Sequence, residues 1–383
     1  FQRSRRFIIM SRLNVGNLYN ENEDGAPVVS GISTFSSPNY FVPPSGTTAQ
    51  RPSNPGEGMI RFNTDSGHLE YYTGTYWADV ITNNNELGNQ NVTNSAGGTG
   101  TRALTGGGYN GSTSQDHIDY LTISTLGNAT DFGNLNSARY AMTGFADSTR
   151  GIVAGGSPVP TNMEFVTIAS TGNGTSFGTI ASHGEFPIGL SNSTRGIVAG
   201  GTTVNTISYI TIAQTGNSQD FGDLLVKRRR PTACASSVRG IVAGGQTINV
   251  IDYFTISSTG NSLDFGDCIS TVLTAGGCSN SVRGIFAGGT RPSPFTQASS
   301  EFITIATTGN GQEFGDLTLA RRALGAASSS TRAVFMGGYF SPNNYNTVDS
   351  MEIMTTGNAI DFGDLNESFN SGKFGFSNGH GGL

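Results

Sequence analysis

The chain has 383 residues, of which 13 % are charged, and its formal net charge at pH 7 is −6. This length leaves room for more than one domain and for a large buried core. The acidic balance argues against a nucleic-acid-binding protein, and no apolar run approaches the length of a membrane span. Three cysteines are too few to indicate a disulfide framework.

Residues 1–50 are rich in Asn, Ser, Gly and Pro, and their apolar side chains are scattered. Such a segment cannot bury a core of its own. It is either a flexible tail or an extended N-terminal arm that becomes ordered against another chain, and we favour the arm.

Residues 51–82 contain three short segments of alternating polarity, at 58–63, 68–72 and 76–80, which are separated by Thr-, Ser- and Gly-containing turns. This pattern predicts a small β-meander module. A meander of this size is not stable alone, so we expect it to serve in anchoring or oligomerisation. Residues 83–98 are rich in Asn, Gly and Thr and predict a flexible linker.

The remainder, residues 99–383, is repetitive. A motif best seen as Arg-Gly-Ile-Val-Ala-Gly-Gly at 239–245 recurs at intervals of 44–49 residues. After each Gly-Gly pair come an alternating apolar segment, a Gly-Asn turn and a Phe-Gly pair. The motif begins in six units at Arg102, Arg150, Arg195, Arg239, Arg283 and Arg332. Self-similarity at a period of this length indicates a repeat architecture.

Each unit predicts four short antiparallel strands, a to d, which in the fourth unit fall at 232–236, 239–245, 251–257 and 263–268. Four strands in about 45 residues are typical of one propeller blade. The chain enters at strand b of unit one and ends after an additional strand a near 373–377. We predict that this last strand completes the first blade, so that the ring of six blades has no free edge.

The units resemble the kelch repeat. Strand b ends in Gly-Gly, strand d carries Phe where kelch repeats usually have Trp, and unit six has Ser350 at the strand-c aromatic position. The strand-c aromatic residues are Tyr120, Phe165, Tyr209, Tyr253 and Phe302, and the kelch-like arginines of strand a are Arg139, Arg228 and Arg321. The resemblance implies an all-β fold in which the arm and the meander precede a six-bladed kelch-like β-propeller over 99–383. It implies no function, because propellers host many unrelated activities.

A second resemblance concerns the stretch from Arg51-Pro through Gly58-Met-Ile-Arg-Phe-Asn to Leu69-Glu-Tyr-Tyr. It is similar to a short module in tail-fibre and other structural proteins of tailed bacteriophages, notably those that infect cyanobacteria. The resemblance implies a virion structural protein that assembles in the host cytoplasm and is exposed on the particle surface. Residues 1–82 would bind other virion proteins, and a homo-oligomer is implied, with a trimer favoured.

Motifs for catalysis, cofactors or metals are lacking. The four histidines have no ligand-like spacing, and no nucleophile, phosphate-loop or metalloprotease motif occurs. Acidic pairs recur at Asp220/Asp223, Asp264/Asp267 and Asp361/Asp364. They could serve as Ca²⁺ ligands or as glycosidase carboxylates, but their constant place beside the c–d turn favours turn capping. The recurrent arginine of strand b is predicted to donate hydrogen bonds between blades, and Cys234 and Cys278 to be small buried hydrophobic residues.

Length varies mainly in the connection between strands b and c, which is long in units five, six and one. Loops carry recognition, so we take these three as candidate ligand-binding loops. Their candidate residues are Tyr109, Asn110, Arg291, Phe295, Tyr339, Phe340, Asn343, Asn344 and Tyr345. Aromatic and amide side chains suit a sugar, although a protein–protein patch has the same composition. The basic run 227–230 shares this face, either as solvated charge or as an attraction for anionic polysaccharide.

Together these observations favour a non-enzymatic fibre or appendage protein of a phage virion that attaches to a host-surface polysaccharide. Two alternatives remain open. One is a purely architectural decoration protein of capsid or tail, and the other is a polysaccharide-degrading enzyme.

Overall fold

The computed structural model describes residues 43–66, 68–79, 101–202, 204–246, 248–291, 296–369 and 374–383, with the backbone alone at residue 369. The predicted linker 83–98, most of the predicted arm and the candidate residue Phe295 lie outside these residues. The chain divides into two compact units, residues 1–83 and 84–383. Within the described residues the structure is almost entirely β.

The first unit contains one four-stranded sheet. Its elements are β1 (Ser45–Gly46), the 3-10 helix η1 (Thr48–Gln50), β2 (Ile60–Asn63), β3 (His68–Tyr72) and β4 (Trp77–Asp79). Strands β2, β3 and β4 form the antiparallel meander that the sequence predicts, and β1 adds to β2 in parallel. Residues 45–50, which we assigned to the extended arm, therefore belong to the module.

This small sheet has an unusual distribution of polarity. One face carries Glu70, which is fully buried, and Arg51 and Arg61 form ion pairs with its carboxylate. The hydrogen bond from Arg51 lowers the pKa of Glu70, against the opposing effect of burial. The opposite face presents Ile60 and Tyr71, which are cross-strand partners and are exposed by 54 % and 40 %. This face of the small sheet is therefore apolar and exposed to solvent in the single chain.

Each unit of the repetitive region forms a four-stranded antiparallel sheet, and we number these repeat sheets one to six. In chain order the strands are β5 (Arg102–Gly106), β6 (His117–Thr122) and β7 (Thr130–Asn134) of sheet one; β8 (Thr143–Ala146), β9 (Arg150–Ala154), β10 (Asn162–Thr167) and β11 (Thr175–Thr179) of sheet two; β12 (Ile188–Ser191), β13 (Arg195–Ala199), β14 (Thr206–Thr211) and β15 (Gln219–Asp223) of sheet three; β16 (Thr232–Ala235), β17 (Arg239–Ala243), β18 (Val250–Thr255) and β19 (Leu263–Asp267) of sheet four; β20 (Gly276–Ser279), β21 (Arg283–Ala287), β22 (Ser299–Thr304) and β23 (Gln312–Asp316) of sheet five; and β24 (Gly325–Ser328), β25 (Arg332–Phe340), β26 (Asn343–Glu352) and β27 (Ile360–Phe369) of sheet six.

The last strand, β28 (Phe374–Ser377), returns to the first repeat sheet. It pairs antiparallel with β5, so that Phe376 lies opposite Leu104 and Phe374 opposite Gly106. The predicted completion of unit one by the chain's final strand is confirmed. Without β28, β5 would present unpaired backbone groups along a hydrophobic edge.

The first strand of each repeat sheet packs against the first strands of both neighbouring sheets, and β28 packs against both β24 and β8. Side-chain volumes match across these contacts. A Cβ on Gly196 would lie 2.0 Å from the Phe145 ring of the preceding sheet, and one on Gly151 would lie 2.1 Å from the ring of Phe376. In units two and three the glycine of the Arg-Gly motif therefore makes room for an aromatic ring of the preceding first strand.

The Gly-Asn turns and the Phe-Gly pairs join consecutive sheets. Asn261 of sheet four accepts a hydrogen bond at Oδ1 from the backbone N–H of Asp223 in sheet three, and the N–H of Gly260 donates to the carbonyl of Phe221. The same two bonds occur between every pair of consecutive sheets, and Asn128 with Asp364 joins sheet one to sheet six. These motifs therefore stabilise the contacts between sheets.

The second residue of each Phe-Gly pair must be glycine for this contact. Gly222 has φ +147°, and a Cβ there would lie 2.4 Å from the carbonyl oxygen of Gly260. We expect Gly222→Ala to lower the free energy of unfolding by about 2 kcal/mol, because the obstructing atom is backbone. The matched control is Gly216→Ala, whose Cβ would meet no atom within 4 Å. Chemical denaturation checks this, and equal stability of the two variants would contradict the proposed contact.

The recurrent arginine of strand b also bridges sheets, as predicted. Arg195 donates from Nη1 to the carbonyl of Ile256 in the next sheet, and its guanidinium lies 4.6 Å from the ring centre of Tyr209. All six arginines make this type of bond, and Arg332 of sheet six reaches Ile123 of sheet one. They are structural donors and not ligand contacts.

The kelch-like arginines of strand a form buried ion pairs inside their sheets. Arg139 pairs with Glu164 and Arg228 with Asp252 at 2.6 Å, and Arg321 pairs with Asp349 at 2.7 Å. All three guanidinium groups are nearly or fully buried. Burial lowers the pKa of each guanidinium, and the paired carboxylate acts in the opposite direction.

Candidate ligand-binding face

The b–c connections and the connections between consecutive units lie together at one end of the repeat sheets. Backbone hydrogen bonds join them: the N–H of Gly108 donates to the carbonyl of Arg139, and the N–H of Gly245 donates to that of Val272. We call this end the loop face. Its shared location is what the alternation of strand direction predicts.

The b–c connection of unit six is a β-ribbon and not a loop. Strands β25 and β26 continue their pairing to Phe340 and Asn343, so that only residues 341 and 342 connect them. Tyr345 also pairs with residue 369 of β27. The prediction of a long irregular loop was wrong here, because alternating side chains allowed the ladder to continue. The ribbon holds Tyr339 half-buried and exposes 44 % of Phe340 at its tip.

The b–c loop of unit one is held by local hydrogen bonds. Asn110 accepts at Oδ1 from the backbone N–H groups of Ser112 and Thr113, both at 2.9 Å. Side-chain turns of this kind are typical of Asn. The ring of Tyr109 contacts that of Tyr140, with ring centres 5.6 Å apart.

The structure brings the ribbon and this loop together. Asn344 donates from Nδ2 to the carbonyl of Asn110, at 3.3 Å. Beside this bond lies an open groove whose lining is polar and rich in amides. The groove is lined by Asn110, Ser112, Asn344, Asn346, Asn366 and Glu367. Two of the three predicted loops therefore converge on one shallow site.

Arg291 of unit five does not belong to this site. It is 8 % exposed, and both terminal nitrogens of its guanidinium lie 3.1 Å from Oε1 of Glu301. The connection before strand a has Val272 where Arg139, Arg228 and Arg321 stand in other units, so Arg291 supplies the missing guanidinium from the b–c connection. Arg291 thus neutralises a buried carboxylate, and its assignment to ligand binding stays a prediction. Phe295 lies outside the described residues, and no described contact joins unit five to the groove.

The basic run 227–230 is not a single charged patch. Lys227 is exposed, Arg228 is the buried partner of Asp252, and Arg229 pairs with Glu185 at 3.0 Å. The guanidinium of Arg230 lies 4.3 Å from the ring centre of Phe186. Neither a solvated charge run nor a uniform polysaccharide-attracting patch describes this segment.

A small cavity of about 90 Å³ lies among the first strands at the loop face. Near it, the residue two positions before the first strand of each of sheets two to six has a left-handed backbone: Ala141, Phe186, Arg230, Thr274 and Ala323, with φ between 57° and 62°. From Phe186 onward, the N–H of each donates to the carbonyl of the one before it in this series. Ala, Phe, Arg and Thr carry no sequence signal for this conformation, so sequence reasoning missed this feature.

The opposite end of the space among the first strands is crossed by residues 378–383. His380 contacts the carbonyl of Ala146 through Nε2 at 2.8 Å, and burial lowers its pKa. A Cβ on Gly382 would lie 1.9 Å from the carbonyl oxygen of Ser191, so the segment passes closely between sheets. A ligand can therefore approach this space from the loop face.

The recurrent acidic pairs do not cap turns. Asp220 and Asp223, for example, lie within strand β15 and are exposed, and neither carboxylate makes a hydrogen bond with a described residue. The side chain that bonds the Gly-Asn turn to the neighbouring sheet is instead the asparagine of that turn. Our interpretation of these acids as turn caps was therefore wrong. Among the described residues no group of three His, Cys, Asp or Glu is placed to hold a metal ion. Cys234, Cys268 and Cys278 are buried and free, as predicted for two of them.

No protein-family model matches the chain, and no curated protein is significantly similar to it. In the described part of the chain, no helix has the length and apolar character needed to cross a membrane.

Proposed function

We propose that the six repeat sheets are the blades of a kelch-like β-propeller and that the chain is a non-enzymatic structural protein of a phage virion. Residues 1–82 mount it on other virion proteins as a homo-oligomer, a trimer on the phage resemblance. The loop face is turned toward the host and attaches to a surface polysaccharide. The proposal of a propeller rests on the hydrogen bonds that join each sheet to the next and sheet six to sheet one, and on the pairing of the last strand with sheet one.

The observation that carries the adhesion proposal is the convergence of the unit-six ribbon with the unit-one loop through Asn344 and Asn110. Aromatic rings stand beside it on rigid backbone, at Tyr109, Tyr339 and Phe340. An amide-lined, shallow groove with flanking rings can accept sugar hydroxyls and stack on sugar faces. Degradation of polysaccharide would need paired carboxylic acids facing a bound sugar, and one acid, Glu367, lines this groove.

Paired replacement of Tyr339 and Tyr345 by Ala is expected to weaken attachment of virions to host cells by about tenfold or more, while the melting temperature changes little. Each lost stacking contact contributes about 1 kcal/mol, and many copies on one particle multiply the loss. The matched control replaces Leu126 and Met354, which are exposed in units one and six at the end opposite the loop face. Equal attachment by both variants would favour the architectural alternative, and release of oligosaccharides by the wild type would favour the enzyme.

Assembly is expected to depend on the exposed apolar face of the small sheet. Replacement of Ile60 and Tyr71 by Ser should reduce the oligomer to monomers, because the two side chains are exposed cross-strand neighbours on that face. Sedimentation of the full chain measures this. A fragment 99–383 is expected to be monomeric, and an oligomer as large as that of the full chain would contradict the proposal.

A further inference from the structure

One wall of the candidate groove is a long bulge in unit six. Strand β27 has 10 residues, whereas strand d of each other repeat sheet has five. Between the paired residues Tyr345 and Thr347 of β26, Asn346 stands against four residues of β27, 365–368. Bulges of this kind redirect side chains and are frequent beside functional sites. The bulge places residues 366–368 along the groove.

The bulge is held against sheet one by a buried acid. Asn366 donates from its backbone N–H to Oδ2 of Asp119, at 3.2 Å, and from Nδ2 to Oδ1 of the same carboxylate, at 2.6 Å. Asp119 is 1 % exposed, so both bonds are tied to the interior of the sheet. The groove therefore has walls that are in place before a ligand binds, which reduces the entropy lost on binding.

Three asparagines of the groove have amides of known orientation. Asn344 and Asn346 donate from Nδ2 to backbone carbonyls, each at 3.3 Å, and Asn366 donates to a carboxylate. Carbonyl and carboxylate oxygens only accept, so each contact fixes which end of the amide is nitrogen. The Oδ1 atoms of all three accept no hydrogen bond from a described residue, and that of Asn344 is buried. Each of these amides therefore has an acceptor to spare.

The groove also has a negative charge without a partner. Glu367 is the one acidic residue among the described residues that line it, and no Lys, Arg or His lines it. The Glu367 side chain is exposed, and its carboxylate makes no hydrogen bond or ion pair with a described residue. Acceptors thus outnumber donors in this groove of about 620 Å³. Such a lining favours a ligand that donates hydrogen bonds and carries positive charge.

We propose that the groove binds an amino sugar whose amine is free and protonated, with the ammonium group at Glu367 and neighbouring hydroxyls at the amide oxygens. An ammonium group has three donors and no acceptor, and its bond to a carboxylate is charge-assisted. A hydroxyl in its place donates once, and an N-acetyl group is uncharged and also brings an acceptor. This inference names the sugar class for the adhesion site and therefore rests on the proposed function.

The test is calorimetric titration of the full chain with three matched trisaccharides, those of chitosan, chitin and cellulose. They share one linkage and differ in a single substituent, which is an amine, an acetylated amine or a hydroxyl. At about pH 6 the amine is protonated. We expect the glucosamine trimer to bind about tenfold more tightly than the other two, since hydrogen bonds between charged groups are the stronger ones. Equal affinity for all three, tighter binding of the acetylated trimer, or no binding of any would overturn the proposal.

A variant separates a built site from general charge attraction. Glu367→Gln keeps the size of the side chain and should weaken binding of the glucosamine trimer by about tenfold, while binding of the glucose trimer stays unchanged. The control Asp361→Asn removes the same charge from an exposed position of the same strand outside the groove, and it should change neither. Equal losses in the two variants would contradict the site. The exposed Glu367 makes no described bond, so both variants should keep the wild-type melting temperature.

The inference and the proposed function can fail separately. If virions with the Tyr339/Tyr345 replacement lose attachment but the three trimers bind equally, adhesion stands and the preference for an amino sugar is rejected. If the glucosamine trimer is preferred but those virions attach normally, the groove binds amino sugars and the adhesion proposal is rejected.

Discussion

A chain shortened to end at residue 373 is expected to lose the cooperative unfolding of its repeat region and to aggregate. The deletion removes β28, with Phe374 and Phe376, which are 1 % and 4 % exposed. Loss of one buried Phe side chain typically costs about 3–5 kcal/mol, and a folded domain is stable by only about 5–15 kcal/mol in total. The deletion also leaves β5 as an unpaired edge that a second molecule can extend.

The matched control ends at residue 378 and keeps β28. It also keeps Asn378, whose Oδ1 accepts a hydrogen bond from the backbone N–H of Arg102. This variant loses the contacts of His380 and Gly382 but should remain folded with a lower melting temperature. Circular dichroism during heating and light scattering distinguish the two. A monomeric, cooperatively melting chain that ends at residue 373 would show that closure by the last strand is not required.

Replacement of Arg228 by Leu is expected to lower the free energy of unfolding by about 3–5 kcal/mol. The change leaves the carboxylate of Asp252 fully buried without its cation, and an unpaired buried charge is costly. It also removes a donor to the carbonyls of Gly244 and Val250. The loss should be among the largest from any single change in the repeat region.

Two comparisons give this prediction its specificity. Arg229→Gln removes the neighbouring charge, but its pair with Glu185 is partly exposed and should contribute less than about 1 kcal/mol. Adding Asp252→Leu to Arg228→Leu should recover part of the loss, because it removes the unpaired charge. Chemical denaturation measures all three variants. If Arg228→Leu were no less stable than Arg229→Gln, burial of the ion pair would have no energetic importance.

Much of the all-β architecture could be predicted from the sequence, because each strand has a recognisable local pattern of residues. Alternation in Val250–Thr255 and the turn residues around it predict a strand to within a residue or two. The final strand could be assigned to unit one because the repetitive region begins at strand b, so that unit one lacks a preceding strand a. The recurrence of the strand-b arginine in all six units also made its role predictable.

The contacts between units were less accessible, because their partners lie about 40 residues apart and one partner is backbone. Nothing in Gly222 or Asn261 taken singly indicates that they meet across two sheets. In the candidate site, the long b–c connection of unit six was predicted to be a loop, whereas it is a paired ribbon. Arg230 was counted as part of a charge run, although its neighbour Arg228 is buried and only geometry separates the two.

Sheet five illustrates how a repeat can change its sequence and retain its chemistry. The carboxylate of Glu301 receives its cation from Arg291, whereas the corresponding acids Glu164, Asp252 and Asp349 receive theirs from the connection that precedes strand a of their own sheet. In sheet three the acid itself has become Ser208, and a neutral His183 stands where the cation would be. All of these units therefore keep a polar group with a bonded partner at the same position of the sheet. Exchanging the partners of sheet five for those of sheet four would therefore require two compensating changes, Val272→Arg and Arg291→Gln, and either one alone would leave an imbalance of charge in the interior.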